Sequence, residues 1–260
     1  MFKKLTEISI GLILSFVLFS TISFAKGNAG AEATYESRVI IDMPSAGVLP
    51  KNSFAINSVI GDGGGMSLEL SAAIFQDFLM GLSFSGGEIV GSGEPDFQKY
   101  PGVHLRYRVF NETTYVPAFT IGAQTQGRAL YNDSLKRFQT LSPGIFLASS
   151  KAFTWWGGFI FLHGGINFSF EPEPSDRSPN LYFGLEQTLG KRTALLLEYN
   201  ANIDDNNKAF AKKKGLVSVA LRWAASENLT LEIQVRDLFD SQKQYREMTR
   251  FIGLDYVLGY

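Results

Sequence analysis

The chain has no cysteine at all. Its stability therefore has to come from a packed core, a β-ladder or a membrane rather than from disulfides, and a lipid-modified cysteine is excluded. It also lacks a dominant charge: 24 Lys and Arg face 25 Asp and Glu, and the isoelectric point is near 6.2. No basic excess exists to draw nucleic acid, so that class of partner is not expected. Past residue 25 no stretch of about 18 apolar residues occurs, which excludes a transmembrane helix. Yet mean hydropathy is slightly positive, +0.02, and aromatics make up 13% of the chain. The apolar residues are abundant but dispersed, as in a membrane β-barrel that carries them at every second position.

The first residues carry a different signal. Lys3 and Lys4 precede a mostly apolar stretch from Ile8 to Phe19, and Ser23 and Ala25 occupy small-residue positions. This pattern reads as a secretory signal peptide over 1–25, the apolar run being short for a membrane anchor. Residues 26–52 are too few for a domain and read as a short periplasmic or plug segment. Residues 53–260 read as the barrel.

Within 53–260 the period-2 alternation is plain. Leu229, Leu231, Ile233 and Val235 alternate with Thr230, Glu232, Gln234 and Arg236; Val217, Val219, Leu221 and Trp223 alternate with Ser218, Ala220 and Arg222. Such spacing fits strands and not helices. The pattern predicts about twelve strands, near 53–60, 66–75, 78–86, 103–110, 115–125, 144–152, 155–169, 180–189, 193–200, 215–224, 229–239 and 249–260. Short turns near 76–77, 111–114, 153–154, 190–192 and 225–228 alternate with long connections near 87–101, 127–143, 170–179, 201–214 and 240–248. Short periplasmic turns and long outer loops are the habit of outer-membrane barrels. A secreted β-sandwich is the soluble alternative, but it does not call for this alternation. Tyr107, Tyr115, Trp155, Trp156, Tyr199, Trp223 and Tyr256 could populate interfacial girdles. The expected fold is thus all-β: a transmembrane, antiparallel, up-and-down β-barrel in the bacterial outer membrane, monomeric, with outer-membrane lipid as its surroundings.

The terminal stretch "MTRFIGLDYVLGY" extends the apolar parity to the last residue, through Ile252, Leu254, Tyr256, Leu258 and Tyr260. A last strand that closes against the first needs a lipid-compatible outer face along its length. The set also resembles the C-terminal signal read by the barrel-assembly machinery, with Tyr in place of the usual Phe.

The other parity defines the lumen: Glu69, His104, Arg106, Arg108, His163, Glu186, Glu198, Arg222, Glu232, Arg236 and Asp255. An arginine on the lipid side would cost roughly 2–4 kcal/mol at mid-membrane, so these charges belong inside. Four arginines against five carboxylates are close to balance, and in a narrow barrel they are expected to bridge across and largely fill the bore. A charged constriction that selects a solute is the sharper alternative. The paired glycines 157–158 and 164–165 flank His163 and suggest bends or close approaches. A lipase would need a serine activated by a histidine, and neither His104 nor His163 sits in that family's lipid-facing pattern; Ser142 could lie across from His163, though nothing in the sequence requires it. No catalytic residues, cofactor or metal ligands are expected. Asp204, Asp205, Asn206 and Asn207 read as a solvated turn rather than a calcium loop. Lys212 to Lys214 read as a solvated charge run, with contact to lipopolysaccharide or surface polysaccharide as the alternative.

Several phrases together resemble the YjbH-like family of outer-membrane β-barrels: "MPSAGVLPKNSFAI" (43–56), "LELSAAIFQDFLMGLSFSGGEIVGSGEP" (68–95), "YPGVHLRYRVFNET" (100–113), "PAFTIGAQTQG" (117–127), "RFQTLSPGIFLASSKAF" (137–153) and "LHGGINFSFE" (162–171). The resemblance implies an accessory or scaffold role in exopolysaccharide production or export, without catalysis. A narrow solute channel or transporter is the rival, supported by the charged bore, and a lipid-modifying hydrolase is the weaker one.

Overall fold

The computed structural model describes residues 29–61, 64–171, 177–207, 210, 213–242 and 249–259. The expected signal peptide, Lys212 and Tyr260 lie outside the described residues. Among the described residues every named element is a strand: β1 (Ser53–Ile60), β2 (Met66–Phe75), β3 (Phe78–Gly87), β4 (Asp96–Phe97), β5 (Gly102–Phe110), β6 (Ala118–Gln124), β7 (Arg128–Asn132), β8 (Arg137–Thr140), β9 (Gly144–Trp155), β10 (Gly158–Phe168), β11 (Asn180–Thr188), β12 (Thr193–Asn200), β13 (Leu216–Ala224), β14 (Leu229–Arg236) and β15 (Thr249–Gly259).

Twelve of these form one closed antiparallel ring, each strand beside its sequence neighbour in the ring. β2 pairs with both β1 and β3, and β15 pairs with both β14 and β1. The closing seam runs in register from Ser53↔Gly259 to Ile60↔Ile252. The apolar alternation of the last strand follows from this: Ile252, Leu254, Tyr256 and Leu258 are exposed, whereas Phe251 and Val257 are buried on the other parity. Around the ring, Ile56, Leu70, Leu82, Leu105, Ile121, Leu147, Leu162, Leu185, Leu197, Leu221 and Ile233 all point outward and are exposed. A continuous apolar belt of this extent has no place in water. A closed ladder leaves no unpaired edge, which is the condition for crossing a bilayer with strands. The chain is an outer-membrane β-barrel.

Some boundaries differ from the sequence reading. The turn expected at 153–154 lies at Trp156-Gly157, where Gly158 adopts φ +115°, because β9 and β10 run on as a longer hairpin. The strand expected from 115 begins at Ala118, and the one expected to reach 239 ends at Arg236. The 127–143 connection holds a small separate sheet, β7 against β8. Tyr115 and Trp156, at two periplasmic turns, are more than nine-tenths exposed, and Tyr107, Tyr199, Trp223 and Tyr256 face outward from the strands.

The bore is occupied by residues of the segment 29–52, which precedes β1. At the periplasmic end, the amides of Ala31 and Glu32 donate to the carbonyls of Gly190 and Lys191 (3.0 and 2.8 Å). The chain then enters the barrel and turns back on itself. Val39 and Pro44 form a bridge, the Ile40 amide donates to Met43 (2.8 Å) and that of Ser45 to Arg38 (3.1 Å). At the base of this hairpin the Ser37 carbonyl lies where a side chain on residue 47 would stand, so only glycine fits at Gly47. The return leg leaves by the same end, where Leu49 packs with Ala55, Ala73, Leu79 and Val257.

Candidate functional site

The inward-facing charges meet this hairpin more than they meet one another. Glu198, near the outer end of β12, accepts hydrogen bonds from the successive amides of Ile41, Asp42 and Met43, each 2.9 Å. Backbone donors at a turn tip satisfy a buried carboxylate as well as a cation would. On the opposite wall, Arg106 donates to the carbonyls of Arg38 (2.6 Å) and Gly47 (3.1 Å). Arg108 pairs with Glu36 and donates to the Ala46 carbonyl (2.8 Å), which also accepts from Thr120 (2.7 Å). Arg38 pairs with Asp255. Asp42 at the tip lies between two arginines, Arg128 (2.9 Å) from the β6–β7 junction and Arg236 (3.1 Å) from β14.

Among the described residues, one cluster joins wall to wall with charges of both signs at close range. Arg222 meets Glu232 at 2.5 Å and Glu186 at 3.4 Å, and also donates to the Ile40 carbonyl (2.7 Å). The other wall contact, His104 with Glu69, is longer at 3.5 Å. All eleven residues named from the sequence thus face the lumen, but the expectation that they bridge across the bore needs correction. The hairpin stands between the walls: its backbone meets Glu198, Arg106, Arg108 and Arg222, and its side chains Arg38 and Asp42 meet Asp255 and Arg236.

Apolar contacts seat the hairpin as well. Ile41 packs on Ala194, Leu196 and Ala220, and Ile40 and Met43 pack with Tyr182. Gly184 makes room for Ile40, since a Cβ there would stand 2.7 Å from its methyl carbon. Sequence patterning marked none of these as a set, because small inward residues such as Ala194 and Gly184 carry no charge signal.

A crevice of about 60 Å³ remains between hairpin and wall, bordered by Glu36, Arg38, Glu69, Arg106, Glu232 and Asp255. At roughly 10–15 Å³ per water it holds a short water file and nothing larger.

Both histidines have a serine hydroxyl at hydrogen-bond distance. Ser150 lies 2.8 Å from His163 Nδ1, and Ser83 lies 2.7 Å from His104 Nε2. Ser142 is not the partner of His163; its amide donates to Glu171 (3.0 Å). Ser150 also accepts the Ala46 amide (3.0 Å), and His163 Nε2 has no hydrogen-bond partner among the described residues, so the third, orienting group of a triad is not found among them. Ser83 is 2% exposed and donates to Gln126 (3.0 Å), which leaves no room for a substrate.

The outer mouth is capped by the long loops. Arg137 makes a two-pronged pair with Asp205 (2.9 and 2.8 Å) and stacks on Phe210 (4.3 Å). Asp204 and Asp205 are buried, and Lys214 donates to the carbonyls of Asn202, Ile203 and Asp205 and to Asn206. The aspartates of the turn expected to be solvated are therefore buried in this cap, whereas Lys213 and Lys214 of the expected charge run stay exposed, Lys214 donating to the cap from its surface. Burial pushes the Asp204 carboxyl up to about 6, with Asp205 adding to the shift. Burial raises Glu171 as well, against the hydrogen bonds from Ser142 and Phe138. A carboxyl that holds its proton more tightly in the closed cap than in the open loop favours closure most below the ordinary aspartate value of about 4. That advantage is lost as pH rises through about 6. Cap amides are therefore expected to exchange more slowly at pH 5 than at pH 7.5 after correction for intrinsic rates, and Asp204→Asn should largely remove the difference.

No protein-family model matches the chain, and no curated protein matches it. Among solved structures it is similar to the KdgM porin, with TM-score 0.46 and 13% identity over 78% of this chain and 98% of that one. It is similar also to the NanC porin, with TM-score 0.39 and 9% identity over 80% and 99%. A third is the outer membrane channel DcaP of Acinetobacter baumannii, with TM-score 0.30 and 8% identity over 79% and 95%. These likenesses are distant, and the barrel is read from its own ladder.

Proposed function

We propose that this outer-membrane barrel is a narrow solute channel whose N-terminal hairpin is a displaceable plug. The observation that carries the reading is the chemistry of the contact between hairpin and wall. Glu198, Arg106, Arg108, Asp255 and Arg236 grip the hairpin through hydrogen bonds and ion pairs. A permanently filled bore is served as well or better by apolar packing, since well-packed apolar groups are often as stabilising as buried ion pairs or more so. Hydrogen bonds to charged groups are worth about 1.5–3 kcal/mol each net, a fraction of their strength in a dry interior, because water can replace them. A wall built from them keeps its stability when the hairpin leaves and water enters. The crevice beside the hairpin, with room for a few waters, is where that exchange would start.

The scaffold role in exopolysaccharide production implied by the YjbH-like resemblance needs no open state. The two readings separate in a planar bilayer, where conductance of the intact chain is compared with that of a chain lacking the tip of the hairpin. A channel opens when the tip is gone; a scaffold with a closed bore does not.

A further inference from the structure

The plug and the outer cap share one element, the β7–β8 hairpin. From its first residue, Arg128 reaches the plug tip and pairs with Asp42 at 2.9 Å. From β8, Arg137 holds Asp205 of the β12–β13 loop, and the Phe138 amide donates to Glu171 of the β10–β11 loop (2.8 Å). Thr140 donates to Gln242 of the β14–β15 loop (3.3 Å). This small hairpin therefore touches three outer loops and the tip of a segment that entered from the opposite side of the membrane.

We infer that cap and plug form a single latch: moving the β7–β8 hairpin from the outer side releases the tip of the plug at Asp42. The coupling runs through a short chain of contacts. If the Arg137–Asp205 pair opens, the β7–β8 hairpin loses its anchor on the β12–β13 loop and can lift. Arg128 lifts with it, and Asp42 is left with Arg236 alone. Losing one of two cationic partners weakens the grip on a buried carboxylate. Linkage makes the effect reciprocal, so a vacant bore also loosens the cap. An agent that binds the cap from outside and prefers its open form would thereby unplug the channel, by no more than its preference between the two forms. This rests on the proposed mobility of the plug.

The absence of native cysteine makes the test clean. Val48→Cys places one thiol in the buried part of the plug segment, and its reaction with a small charged maleimide reports exit from the bore. Folding of every variant is checked by heat-dependent mobility on a gel. In this background Arg137→Ala and Asp205→Ala, whose described contacts are all within the cap, are expected to raise the labelling rate about tenfold or more, the scale of coupling between two linked sites. Arg128→Ala should do the same and Arg128→Lys should restore much of the protection. If Arg128→Ala or Glu198→Ala exposes the thiol while Arg137→Ala and Asp205→Ala do not, the plug moves independently of the cap and the latch is refuted. If no variant exposes the thiol, the plug is static, and both the latch and the channel reading fall.

Discussion

Excising residues 38–46 is expected to convert a nearly silent barrel into one that conducts in steady steps. The cut is feasible because the flanks already touch: the Ser37 carbonyl abuts Gly47 at the base of the hairpin. No strand of the closed ladder uses these residues, so the ring should assemble without them. What the excision removes is the matter at mid-bore: Ile40 and Ile41, which sit on an apolar patch of the wall, the three amides on Glu198, and the Arg38 and Ile40 carbonyls on Arg106 and Arg222. The wall charges left behind are not stranded in a dry interior, because the space that opens is filled by water. The excision also removes Asp42, through which Arg128 ties the cap downward. A folded, excised barrel that stays silent would place the closure in the outer loops and contradict the plug reading.

The second large effect concerns stability. Arg222→Ala should lower the unfolding free energy by about 3–5 kcal/mol, the cost of breaking a buried pair from one side. Two carboxylates depend on this guanidinium, Glu232 at 2.5 Å and Glu186 at 3.4 Å, and all three residues are buried. Removing the arginine leaves two adjacent acids in a bore still occupied by the plug. The sign of the remedy is also fixed: Arg222→Met combined with Glu186→Gln and Glu232→Gln should recover much of the loss, because the uncompensated charge goes with it. Denaturant unfolding of the refolded protein in detergent measures both. A loss below about 1 kcal/mol in the single variant would mean that water reaches the cluster and that the bore is wetter than the contacts indicate.

The barrel was legible in the sequence because one face of each strand meets lipid and the other meets polar matter, which writes the period into the chain. Strands such as β1 and β12 could be placed to the residue, and the inward charges followed from the same parity. The plug was less legible. Its tip, Ile40 to Met43, makes its strongest polar contacts through backbone amides and carbonyls, and backbone groups are the same at every position. Its seat on Ala194, Leu196, Ala220 and Gly184 is apolar on an inward face, against the polar-lumen rule that located the rest. The cap was misread for a related reason. Asp and Asn are frequent in solvated turns, and nothing near Asp205 in the chain reveals that Arg137, from a distant loop, lies beside it.

The most direct test of a plug that fills the bore yet leaves it reversibly is hydrogen exchange at the amides of Ile41, Asp42 and Met43, the three that bind Glu198. They are expected to exchange far more slowly than an exposed turn amide such as that of Tyr115, and clearly faster than ladder amides such as those of Leu196 and Ala220. Local opening of one element at lower free energy than the whole fold produces this intermediate behaviour. Exchange as fast as at Tyr115 would mean that the hairpin does not occupy the bore. Exchange as slow as in the ladder would mean that it leaves only when the barrel unfolds, and the channel account would be wrong.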